Sequence, residues 1–273
     1  MIKFEGILIC TDLDGTLLQK NKNISKENLD AIEYFKSEGG YFTFVTGRMP
    51  FFSSDICERI KPNCPFGCGN GTGLYDHITK KYIYTTPLDP SALDLVEYIE
   101  STLPEMGIQI NTFEHVYFSR NNLAMELFRG ITGLPNLKKN YRDIEEPIAM
   151  IVFGDTREGS IEELEKLLRA HPKANTVDLI RSEKILFDII PKGIGKGNSV
   201  KELAKYLGID ISKTVAVGDY PNDISMIRAA GVGIAVANAH PDVKKAADLV
   251  TVSNEEHAIA RIISDIENGS IRI

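Results

Sequence analysis

The chain has 273 residues, 43% of them apolar and 25% charged, and carries a net charge of −7. That length and balance suit a folded protein of two domains, and an acidic chain with no block of Lys and Arg does not offer a nucleic-acid track. No apolar run approaches the roughly 20 residues that span a bilayer, and Met1-Ile2-Lys3-Phe4-Glu5-Gly6 lacks a long apolar signal core, so a cytoplasmic location away from membranes is expected.

Ile7-Leu8-Ile9-Cys10 reads as a buried parallel strand that stops abruptly at Asp12-Leu13-Asp14-Gly15-Thr16, placing two carboxylates at a strand's C-terminal end. Ser25 is suited to cap a helix with Leu29, Ile32 and Phe35 on one face, closed by Gly39-Gly40. Tyr41 to Val45 then predicts a second strand, ending at Thr46-Gly47-Arg48. The four cysteines are too sparse for a disulfide scaffold, and Cys64-Pro-Phe-Gly-Cys68 lacks the matching second pair of a zinc site.

The middle of the chain changes character. Extended runs at Ile108 to Phe113, Val116 to Ser119, Met150 to Phe153, Asn175 to Arg181 and Leu186 to Ile190 crowd around fewer helices, the pattern of an α+β unit. Asp89-Pro90 reads as a cap with a first-turn proline, and Ser160 with Glu163 as a capping box. The alternating grammar then returns: a helix with Val200, Leu203, Ala204 and Leu207 ends at Gly208, Thr214 to Val217 runs into Gly218-Asp219, and Val232 to Val236 and Leu249 to Thr251 supply further strands. Such alternation predicts an α/β fold with a doubly wound parallel sheet, whose ligands bind beyond the carboxyl ends of the strands, where Asp12, Thr46 and Asp219 fall.

Asp12 and Asp14 sit close enough to serve one magnesium ion through a carboxylate and a backbone carbonyl, since this hard cation takes oxygen ligands and pairs with phosphate. A carboxylate so placed is a competent in-line nucleophile, and the second is suited to protonate a leaving oxygen and then deprotonate water. Thr46 offers a hydroxyl and Gly47 an open N–H for a phosphate oxygen. Asp219, in Gly218-Asp219-Tyr220-Pro221-Asn222-Asp223, is placed to complete the metal site, and Lys196, flanked by Gly195 and Gly197, offers an ammonium to the phosphate.

DLDGT, TGR, the GIGKG lysine and GDYPND, in this order, resemble the phosphatases of the haloacid dehalogenase superfamily. The resemblance implies that Asp12 is the nucleophile, Asp14 the general acid/base, Thr46 and Lys196 phosphate holders, and Asp12, Asp14 and Asp219 the magnesium site. It further implies that Asp223 orients the lysine or a metal-bound water, and that Asn222 and Arg48 face the substrate. Asn70-Gly71-Thr72 is similar to the Asn-Gly-Ala segment of the Cof-type subfamily, making Asn70 a candidate substrate contact. The long α+β segment between Thr46 and Lys196 resembles that subfamily's large cap, which gives a catalytic core over 1–82 and 188–273 and an inserted α+β cap over 83–187 for substrate selection.

The activity so implied is magnesium-dependent hydrolysis of a small phosphorylated metabolite, a sugar phosphate first among them. Phosphomutase-type transfer and a non-catalytic metabolite or magnesium sensor on the same fold are the alternatives. His115, Tyr117, Arg120 and Arg181 are cap candidates that no motif fixes, and oligomeric state is not encoded in any motif.

Overall fold

A four-residue apolar run is too short for a helix and suits a strand buried on both faces. In the computed structural model, which describes residues 2–273, Leu8–Thr11 forms that strand, β1, with all four residues buried. Ser25 caps α1 (Lys26–Ser37) by accepting a hydrogen bond from Asn28 N at 3.3 Å, and the helix buries Ile32 and Phe35. β2 (Tyr41–Phe44), α2 (Ser54–Ile60), β3 (Phe66–Cys68), β4 (Gly73–Asp76) and β5 (Lys81–Thr85) follow.

The chain then builds a separate compact unit over Thr85–Ile194. It contains α3 (Leu93–Thr102), β6 (Gly107–Thr112), β7 (Val116–Arg120), α4 (Leu123–Thr132), β8 (Ile148–Gly154), α5 (Ser160–Ala170), β9 (Val177–Glu183) and β10 (Leu186–Pro191). The strands form an antiparallel sheet in the order β7-β6-β8-β10-β9. One face supplies Ile108, Ile110, Ile151, Phe153, Phe187 and Ile189 to a core with Leu95, Val96 and Ile99 of α3 and Leu164 and Leu168 of α5. Each such side chain, fully buried, contributes about 1.5–3 kcal/mol, enough in sum for an independent core. The unit runs past the expected boundary at 187 because β10 pairs along its whole length with β9, through Pro191 opposite Val177.

Two helix starts differ from expectation. Asp89 does cap a turn, accepting from Ser91 N at 2.9 Å, but Pro90–Ala92 forms a single 3-10 turn ahead of α3. Gly159, left-handed at φ 78°, brings the chain into α5 one residue early. Ser160 is therefore already helical and donates its hydroxyl back to Arg157 O at 2.7 Å instead of forming a capping box.

The remaining chain, Gly195–Ile273, rejoins the residues up to Tyr84 in the first unit. It adds α6 (Lys196–Leu207), β11 (Thr214–Gly218), α7 (Ile224–Ala229), β12 (Val232–Ala235), α8 (Pro241–Ala246), β13 (Leu249–Val250) and α9 (Ala258–Glu267). Five strands form a parallel sheet in the order β13-β12-β11-β1-β2. Side chains alternate across it as pleating requires. Ile9 joins a core with α1, α8 and α9, whereas Leu8 and Cys10 join Val200 and Leu203 of α6 and Met226 of α7. Helices thus cover both faces, and the carboxyl ends of β1, β2 and β11 share one edge. Among the described residues no helix is long and apolar enough to cross a membrane.

Candidate active site

Asp12 follows β1 directly, and its N–H extends the ladder by donating to Val217 O at 2.8 Å. Lys196, the first residue of α6, is 1% exposed and donates from Nζ to Asp12 Oδ1 at 2.6 Å and to Asp223 Oδ1 at 2.5 Å. Asp223 is fully buried, and its other oxygen accepts from the N–H groups of Asp219 (2.9 Å) and Tyr220 (3.0 Å). Asp219 in turn accepts from Thr16 Oγ1 at 2.7 Å. Gly15 makes room for it: at φ 82°, a Cβ there would lie 2.4 Å from Asp219 Oδ2.

Asp12, Asp219 and Asp223 offer carboxylate oxygens within 4.8 Å of one another. Burial, followed by repulsion from Asp223, pushes Asp12 well above the usual carboxylate range and Asp219 up to about 7. Burial works to lower Lys196, but Asp12 and Asp223 outweigh it and hold the ammonium charged. Three acids share one buried ammonium, so the group is short of positive charge. An all-oxygen donor set with that deficit fits a hard divalent cation such as magnesium. Asp223, expected to orient the lysine or a metal-bound water, accepts from Lys196 and lies beside Asp12 and Asp219.

Asp14 is held differently. Arg48 Nη2 donates to both of its oxygens at 2.8 Å and Nε to Oδ2 at 3.0 Å, while Lys22 Nζ donates to Oδ1 at 2.8 Å. Burial would raise this acid, but the Arg48 guanidinium and the Lys22 ammonium outweigh it and keep it below the usual range. Arg48, expected to face substrate, is therefore spent on Asp14 here.

The strand end after β2 is stitched to the segment after β3. Thr46 is buried; its N–H donates to Gly67 O at 3.0 Å, its carbonyl accepts from Asn70 N at 3.1 Å, and its hydroxyl accepts from Arg48 N at 3.1 Å. Asn70 adopts a left-handed φ of 55°, a conformation asparagine tolerates better than most residues. Its side chain packs against Gly47 and accepts from Asn222 Nδ2 at 3.1 Å. The structure thus gathers the expected residues into two networks, Asp12, Lys196, Asp219 and Asp223 in one and Asp14, Thr46, Gly47, Arg48, Asn70 and Asn222 in the other, joined along the chain at 12–14 and 222–223.

The four cap candidates are engaged within their own unit. His115 Nδ1 lies 3.0 Å from Glu146 Oε2, and Tyr117 donates to Glu146 Oε1. Arg120 pairs with Glu100 at 3.1 Å and Arg181 with Glu162 at 2.7 Å. Sequence reasoning missed Thr16 and Lys22. Thr16 was signalled by its place beside Gly15 in the first motif; Lys22 belongs to no motif, and only the fold brings it to Asp14.

A family model for haloacid dehalogenase-like hydrolases matches residues 9–263, and the chain belongs to this family. It is a phosphatase of that family. Phosphatase YwpJ of Bacillus subtilis (strain 168) is 30% identical over 284 residues, covering 95% of this chain and 99% of the relative. The 5-amino-6-(5-phospho-D-ribitylamino)uracil phosphatase YitU of the same organism is 28% identical over 279 residues, covering 94% of this chain and 96% of the relative. A haloacid dehalogenase-like hydrolase from Bacteroides thetaiotaomicron has a similar structure, with a TM-score of 0.83 at 25% identity over 96% of this chain and all of that one.

Proposed function

We propose that the protein hydrolyses phosphomonoesters of small metabolites, sugar phosphates first among them, with magnesium and through an aspartyl-phosphate on Asp12. The observation that carries this reading is the Asp12 carboxylate, buried at the end of β1, fixed by Lys196 at 2.6 Å and grouped with Asp219 and Asp223.

Asp12 attacks phosphorus in line with the ester oxygen, forming an O–P bond as the ester P–O bond breaks. Arg48 and Lys22 hold Asp14 ionised, so it serves as acid only after taking up a proton in the substrate complex; it then gives that proton to the leaving alkoxide and takes one back from the water that attacks the aspartyl-phosphate, freeing Asp12 and inorganic phosphate. Lys196 keeps the nucleophile oriented and offsets the crowded acids, while the Thr46 hydroxyl and the Gly47 N–H receive phosphate oxygens. The carboxylates of Asp12 and Asp219, with the Asp14 carbonyl, would hold magnesium, which would supply charge neutralisation for the phosphoryl group, while Asp223 holds Lys196 and the turn beside them.

The unit over Thr85–Ile194 serves as the cap that selects the organic part of the substrate. YitU is named for a phosphate carried on a ribityl chain, which supports polyol and sugar phosphates as the first compounds to try. The location is cytoplasmic, and neither nucleic acid nor membrane is a partner.

The test is phosphate release from a panel of sugar, polyol, nucleotide and vitamin phosphates, with magnesium or a chelator, beside Asp12→Asn. Magnesium-dependent release that falls at least about 10³-fold in the variant is expected; undiminished release by Asp12→Asn removes Asp12 as nucleophile. Magnesium should also raise the melting temperature of the wild type, and a chelator should reverse the shift. No shift in either direction removes the metal from the reading.

A further inference from the structure

The apolar residues of α4 (Leu123–Thr132), in the inserted unit, point two ways. Ala124 and Met125 are fully buried, and a Cβ added at Gly107 or Gly154 would lie 2.7 or 2.6 Å from Met125, so this face packs on β6 and β8. Leu123, Leu127 and Ile131 stand four residues apart on another face and are 58%, 47% and 75% exposed. That spacing makes one continuous stripe along a helix. Single exposed apolar residues are ordinary; a stripe of three marks an interaction surface.

Gly130 lies beside the stripe in the helix interior, where glycine costs about 0.5–1 kcal/mol relative to alanine. Its φ is not positive and a Cβ there would have nothing within 4 Å, so nothing in the chain itself calls for glycine. A small residue at that place lets a second helix approach closely. Glu126 and Arg129 lie on one edge of the stripe, about 100° and 160° round the helix from Leu127 on the same side. Among the described residues neither takes part in an ion pair, and Arg129 Nε is buried without a partner. Geometry and charge together fit a second copy of this chain. A two-fold axis at Leu127 runs the second α4 antiparallel, setting Leu127 against itself and Leu123 against Ile131 of the second copy. The same operation carries each edge of the stripe onto the same edge of the other helix, so Glu126 meets Arg129 of the second copy, twice. Charges left unpaired in one chain are paired in two.

We propose that the protein self-associates through α4, as a two-fold antiparallel pair of helices that joins two copies of the inserted unit. A helix of 10 residues is about 15 Å long. It offers less than the roughly 800 Å² per partner of a standard interface, so the dimer is reversible, with a Kd on the order of tens of micromolar.

The experiment is sedimentation of the full chain from about 1 to 300 μM, a range that brackets such a Kd. The mass should rise from monomer to dimer. Leu127→Glu should stay monomeric throughout, with a melting temperature within about 2 °C of the wild type because the site is on the surface. Glu126→Arg should weaken the dimer at least about tenfold, and Glu126→Arg with Arg129→Glu should restore it to within about threefold. All four native cysteines are buried, so Leu127→Cys adds an exposed thiol at the two-fold axis and should give a disulfide-linked dimer on mild oxidation. Ile78→Cys, placed outside α4 at a residue 75% exposed, should give none. A monomer at every concentration overturns the proposal, as does a dimer that Leu127→Glu leaves intact or a double charge reversal that fails to restore association. Capture of the monomer by phosphatidylcholine vesicles, lost in Leu127→Glu, would assign the stripe to a lipid surface and overturn it equally.

Discussion

The candidate site of the first unit and the surface ion pairs of the second handle charge in opposite ways. In the first, Lys196 is buried between Asp12 and Asp223, themselves almost wholly out of water. In the second, Arg142 pairs with Glu97 and Glu100, Arg181 with Glu162 and Lys173 with Asp94, largely in solvent. Removing charges from water costs several kcal/mol per ion, so a buried cluster persists only with its counter-charge, and such clusters concentrate where chemistry is done. Solvent-exposed pairs cost and contribute little. Burial, more than the presence of charged side chains, separates a working site from an ordinary surface.

The largest break in that contrast is Lys196→Met. It leaves Asp12 and Asp223 without their shared ammonium, and urea unfolding should show a loss of about 3–5 kcal/mol. A loss below about 1 kcal/mol would mean that the buried acids are already neutral and that the units differ less than their burial implies. Glu146 of the second unit offers an intermediate case. Burial tends to raise it, but hydrogen bonds from Thr112 and Tyr117 and the His115 ring bring it down from the ordinary 4.5 to about 2. A depressed carboxylate stabilises fully above its unfolded value and loses that contribution as pH falls from about 4.5 toward 2. Glu146→Gln should flatten the acid side of the stability profile in that window by on the order of 1 kcal/mol, after solvent screening; an unaltered profile would place Glu146 with the ordinary surface pairs. Smallest of all, Arg181→Ala should change stability by less than about 1 kcal/mol. A larger loss would show that this surface pair carries structure after all.

Much of the first unit is readable before any coordinates, for a reason visible in β1, β2 and β11: a strand covered on both faces must be apolar throughout, and the polar residue that ends it marks the working edge. Asp12, Thr46 and Asp219 stand out on that basis. What pattern cannot supply is which of them touch. Arg48 turns to Asp14, Asp223 joins Asp12 and Asp219, and Asn70 meets Asn222 across more than half of the chain length. Those pairings are set by loops whose sequences carry no period. The second unit is harder still: its strands were visible as extended runs, but His115, Tyr117, Arg120 and Arg181 look alike to any reading by residue type until their acidic partners are known.

The order of the parallel sheet bears on how the chain reaches its fold. β1 is the strand between β2 and β11, with Leu8 in register with Tyr41 on one side and Thr214 on the other. The Thr214 side closes only after the whole of Thr85–Ile194 has been made, whereas that unit pairs its strands entirely within its own span. During synthesis the inserted unit is thus free to fold from contiguous chain while one edge of β1 waits for β11, an apolar edge open to wrong partners in the interval. Asp219 follows the late-arriving β11, so the candidate site comes together in the same event that gives β1 its second neighbour.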